Sequence, residues 1–172
     1  MRNMLILAAV CGLTASAQDN PMATELKGLW TQIKTNIVKA AEKMPEESYS
    51  FKATPDVRSF GQLIGHITDA HYGFCTGAMD ASKVKKGPGA EKGLTSKADL
   101  VAALKASVAY CDQAYDSVTD ATLASKGKLF GRAERTYNTI LAFNIAHDNE
   151  HYGNIVTYMR LKSLVPPSSE GR

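Results

Sequence analysis

The stretch SKADLVAALKASVAYCDQAYDSV, residues 96–118, decides the architecture. Val101, Leu104, Val108, Cys111, Tyr115 and Val118 recur at steps of three and four. That period lays one apolar stripe along an α-helix and leaves the intervening Lys, Asp and Gln in water. Ser96 stands ahead of it with Asp99 three residues on, a cap followed by an acid in the first turn. A stripe of this kind needs partners, and the rest of the chain supplies them. Leu26, Leu29, Trp30, Ile33, Ile37, Ala40 and Met44 share one face of an expected helix over 21–43, opened by Pro21 and ended by Pro45.

A second helix starts at Ser59, where Ser59 and Gln62 have capping-box spacing, and buries Phe60, Leu63, Ile64, Ile67, Phe74 and Ala78. The last helix runs over about 136–163 with Ile140, Asn144, His147, His151, Ile155 and Tyr158 on one stripe, and Pro166 and Pro167 stop it. Residues 46–58 and 81–92 read as loops, the latter around Gly87-Pro88-Gly89. The longer connection 119–135 holds Leu129 and Phe130 between Gly127 and Gly131, so it is expected to fold over the bundle. No segment alternates convincingly as a strand. Four amphipathic helices with polar outer faces predict an all-α four-helix bundle.

The chain has 172 residues, enough for one core. Arg2, the apolar residues 4–15 and the Ala15-Ser16-Ala17 site have the order of a secretory signal. The expected organisation is therefore a signal peptide over 1–17 and a bundle domain over 18–172, exported to a periplasm or secreted. A lipid-bearing Cys11 ranks lower, because Val10 precedes it. The apolar run is too short for a stable membrane anchor, so no span is expected after cleavage. The formal net charge is +3, of which cleavage removes one unit, and Lys83-Val84-Lys85-Lys86 is the densest basic patch. That balance argues against a nucleic-acid partner. Cys75 and Cys111 are spaced neither as a zinc pair nor as C-x-x-C, and read as two buried thiols by default, with a helix–helix disulfide as the alternative.

His147 and His151 lie four apart, one turn along a single helix face. Two imidazoles so placed can reach one metal ion, or can be satisfied core residues. His66 belongs to the second helix, and its stripe continues through Gly73 and Gly77, small residues expected to leave space beside the ring. His71 is rotated about 140° from His66 on a straight helix. It falls with Ile64, Ile67 and Phe74 as a core histidine. Asp69, Asp148 and Glu150 are candidate acceptors for an imidazole, and Glu150 also a candidate base.

The run Ala146-His147-Asp148-Asn149-Glu150-His151-Tyr152-Gly153-Asn154-Ile155 resembles the C-terminal motif of the DinB-like (YfiT-like) metalloenzymes. The run from Ser59 to Ile67 resembles that family's other motif, and Tyr158-Met159-Arg160-Leu161-Lys162 followed by Pro166-Pro167 is also similar. The resemblance implies a four-helix bundle holding a divalent ion (zinc, nickel, iron or manganese) through His66, His147 and His151. It departs at Glu150, where many relatives have a further His, and at Asn154, where a Gln is frequent. Well-understood relatives are thiol-dependent transferases and isomerases of the cytoplasm, whose thiols are not obvious substrates for an exported protein.

Three readings follow. An open three-imidazole site suits a metal-dependent hydrolase or thiol-dependent transferase acting on an unidentified small molecule. Tyr72, Tyr137, Asn144 or Tyr152 could orient that substrate. A non-catalytic periplasmic protein that binds the metal or a small molecule is the alternative, and a purely structural ion the third. A homodimer is left open.

Overall fold

Pro21 opens α1 (Pro21–Lys43), where its fixed φ suits a first helical turn. The computed structural model describes residues 19–79 and 85–171. The expected leader over 1–17, with Cys11, lies outside them. α2 (Phe60–Cys75) begins with the full capping box, Ser59 accepting from Gln62 N while the Gln62 side chain accepts from Ser59 N. One turn, α3 (Ala90–Gly93), interrupts the segment expected to be loop. α4 (Lys97–Ser117) and α5 (Tyr137–Leu161) are capped by Ser96 and Thr136.

α1 and α2 each lie against both α4 and α5. The four long helices thus enclose one core, the expected all-α bundle. Trp30, Ile37, Phe60, Ile67, Leu104 and Ile140 are fully enclosed there. Trp30 stacks on Tyr115 with centroids 4.9 Å apart and meets His71 edge-on at 5.3 Å. The buried stripes differ slightly from those expected. Leu29 is 55% exposed rather than buried, at the rim of a shallow cleft shared with Ile145 and Asn149 of α5. In α4 the buried edge runs through Leu100, Leu104, Ser107 and Cys111, with Val101 and Val108 half-buried beside it.

Two features depart further from the sequence reading. A disulfide joins Cys75, at the end of α2, to Cys111 in α4, with Cα atoms 5.3 Å apart. The two thiols face each other across a close helix seam, which no sequence spacing encodes. Between α4 and α5 the chain forms an antiparallel hairpin, β1 (Lys126–Leu129) and β2 (Ala133–Thr136), pairing Lys126 with Thr136 and Leu129 with Ala133. Phe130 and Gly131 turn it through positive φ, 49° and 70°. The hairpin lies on the end of α2, as expected of a segment folding over the bundle, but it occupies what the glycines were expected to leave empty. The Phe130 ring covers Gly73, and Lys128 O would stand 2.8 Å from a Cβ on Gly77. No helix among the described residues is long and apolar enough to cross a membrane.

Candidate metal centre

α2 carries His66 and α5 carries His147 and His151, and the seam between these helices brings the three rings together. His147 Nε2 lies 3.2 Å from His66 Nε2 and 3.0 Å from His151 Nε2. One nitrogen from each ring falls within 4.8 Å of both others. A neutral imidazole has one in-plane site on each nitrogen, so His147 Nε2 cannot serve both neighbours as a hydrogen-bond partner. An ion taking imidazole at about 2.0–2.1 Å sets its ligand nitrogens a little over ~3 Å apart, close to the separation of the two pairs that His147 makes. The donor set is therefore compatible with a divalent metal.

The protonation pattern suits that use. His66 Nδ1 is 3.0 Å from Glu91 Oε2. A carboxylate only accepts, so the hydrogen sits on Nδ1 and the Nε2 lone pair is bare. Glu91 is fixed in turn by Arg58, whose Nε donates to Oε1 at 2.8 Å. Burial alone would raise the Glu91 carboxyl, but hydrogen bonds from Arg58 and His66 and their charges bring it below its ordinary value. His151 is pushed down from 6.5 to about 4, first by burial and then by the charge on His147 and His66. Near neutral pH its ring is uncharged and free to offer a lone pair.

Glu91 escaped the sequence reading because it sits in an aperiodic Gly/Pro segment, 25 residues from His66. Asp69, expected to hold an imidazole, instead accepts from the backbone N–H groups of Ala90 at 2.8 Å and Glu91 at 3.0 Å, so it caps α3. Gly65 lets α3 approach, since a Cβ there would lie 2.7 Å from the Glu91 backbone. The residues flanking His66 thus seat the turn that delivers its partner. His71 points elsewhere, as expected, and is fully buried.

A cavity of about 580 Å³ opens beside the cluster, walled by His151, Glu91, Arg58, Asn154 and Glu150, with Val57 and Leu63 as apolar wall. Glu150 is exposed at this wall. The Tyr158 hydroxyl, also on the wall, donates to the Arg58 carbonyl. None of the four residues expected to orient a substrate lines this cavity. Asn144 is buried and donates to the Tyr115 hydroxyl, Tyr152 accepts from Ser168 N, Tyr72 stacks on Tyr110, and Tyr137 packs near Gly127. Arg58, Asn154 and Thr157 line it instead.

No curated protein matches the chain. Among solved structures, a DinB-like protein from Bacillus cereus ATCC 10987 superposes with a TM-score of 0.70 at 23% identity, covering 84% of this chain and 95% of its own. That likeness establishes the fold. The model of the DinB superfamily matches residues 29–155, a span that contains α2 and most of α5 with the three histidines. The chain belongs to the DinB superfamily.

Proposed function

We propose that this protein is an exported metal-binding member of its superfamily, in which His66, His147 and His151 hold a divalent ion at the edge of the 580 Å³ cavity. The proposed activity is that of a metal-dependent hydrolase or thiol-dependent transferase acting on a small molecule. The observation that carries the reading is the convergence of three Nε2 atoms, at 3.0 and 3.2 Å, beside a cavity with polar groups on its wall. Three imidazoles leave coordination positions open, the pattern of catalytic rather than closed structural sites.

A divalent ion supplies a Lewis acid that lowers the pKa of water or a thiol at its open position. The chain's own groups do the rest. Glu91 keeps the His66 proton on Nδ1, the depressed pKa of His151 keeps that ring neutral, and Arg58 and Asn154 orient whatever enters the cavity. Zinc, nickel, iron and manganese all accept imidazole, and availability selects among them. The Cys75–Cys111 disulfide supports export, since such bonds persist in oxidising compartments.

Metal analysis of the purified mature protein beside His66→Ala and His147→Ala tests the assignment. Stoichiometric metal in the parent and loss in both variants is expected, and unchanged stoichiometry in both ends it. Turnover of model esters and thiol conjugates separates an enzyme from a non-catalytic periplasmic binding protein.

A further inference from the structure

The fourth histidine stands behind the cluster rather than in it. His71, on α2, is wholly buried, with Nδ1 2.9 Å from Ser107 Oγ and Nε2 3.0 Å from Asp148 Oδ2. Ser107 Oγ also lies 2.8 Å from the Leu104 carbonyl. Ser107 thus holds His71 at Nδ1 while lying against the backbone of its own helix. Nε2 carries the hydrogen toward Asp148, since a carboxylate only accepts, and so His71 clamps one oxygen of Asp148.

A fully buried histidine–carboxylate pair is a costly way to fill a core, because apolar residues of similar volume do it as well or better. Its use here is shown by the other carboxylate oxygen. Asp148 Oδ1 is buried without a hydrogen-bond partner, and so is Nδ1 of His147. Among the described residues neither atom has another partner, and the two lie 3.7 Å apart, too far for a formed hydrogen bond. On the opposite side of the cluster, Glu91 already holds Nδ1 of His66 in the same relation.

We propose that His71 and Asp148 are a positioning pair for His147. Asp148, held by His71 and through it by Ser107, offers Oδ1 to Nδ1–H of His147 and so fixes the tautomer that turns a bare Nε2 toward His66 and His151. The inference rests on His147 being a ligand, as proposed above. It gives the buried fourth histidine a role that acts through another residue, without contact with ion or substrate.

Two measurements test it. In the metal-free wild-type protein at neutral pH, long-range ¹H–¹⁵N spectra of the imidazoles should show His147 protonated on Nδ1, and an Nε2–H tautomer would overturn the proposal. Zinc titration of His71→Leu, with circular dichroism confirming the fold, should show affinity lower by about 10- to 100-fold. His71→Gln, whose amide can still donate to Asp148, should recover most of that loss. A folded His71→Leu protein with wild-type zinc affinity sinks the idea. Should that variant fail to fold, the tautomer of the unaltered protein decides. A wild-type protein that binds no zinc or other divalent ion removes the proposed function, while the tautomer still reports on the Asp148 contact.

Discussion

Gly65 shows how much one absent methyl group can position. A Cβ there would stand 2.7 Å from Glu91 Cα and N, which are backbone atoms that cannot swing aside. Gly65→Ala should therefore push α3 off α2, cost about 1–3 kcal/mol of stability, and weaken metal binding through the lost Glu91 contact. Urea denaturation and zinc titration of the same sample read both effects. His151 gives a pH dependence of known sign. Its folded pKa of about 4 lies below its ordinary 6.5, so the unfolded chain binds the extra proton first. The metal-free protein should keep this contribution above about pH 6.5 and lose it progressively toward pH 4, with thermal melts across that interval recording a falling Tm. A flat Tm would contradict the burial argument. The three clustered histidines were legible in the sequence because helical period places two of them and a family resemblance the third. Glu91 was not, because a carboxylate in an aperiodic segment becomes a partner only through tertiary contact.

Helix boundaries were the most readable elements. Ser59, Ser96 and Thr136 each satisfy a backbone donor three residues on, and such local chemistry survives in a linear reading. The hairpin was not readable as a hairpin. Its strands are four residues each and show half-buried, largely charged faces, so alternation is faint. The seat of β1 on the turn Thr76–Ala78 after α2 depends on glycines from both sides, since a Cβ on Gly127 would collide with the Gly77 carbonyl. Gly127→Ala is expected to lift β1 from α2 at a cost of about 1–3 kcal/mol. Amide chemical-shift changes confined to the hairpin and the end of α2 would show it, and changes spread through α1 would contradict this seating. The same contacts explain why the hairpin, and not a vacant pocket, lies against Gly73 and Gly77 on this side.

For the whole molecule, the four stripes were sufficient to predict the bundle, because any set of four such helices must bury them against one another. Which helices neighbour which was not written in the stripes, and so the Cys75–Cys111 bond could not be chosen over two free thiols. Closing a loop across a sequence separation of 36 residues restrains the unfolded chain. Replacing both cysteines by serine should lower stability by about 3–4 kcal/mol, visible as a lower urea midpoint with helical circular dichroism retained. Stability equal to wild type would mean that the bond does not form in the mature protein.

The frame and the lining of this molecule come from different stretches of chain. The four long helices carry the core and the histidines, whereas Ala53, Asp56, Val57 and Arg58, which wall one side of the cavity, belong to the irregular connection after α1. Substitution there should reshape that wall while leaving the scaffold alone, so the cavity's contour and the stability of the bundle can change independently.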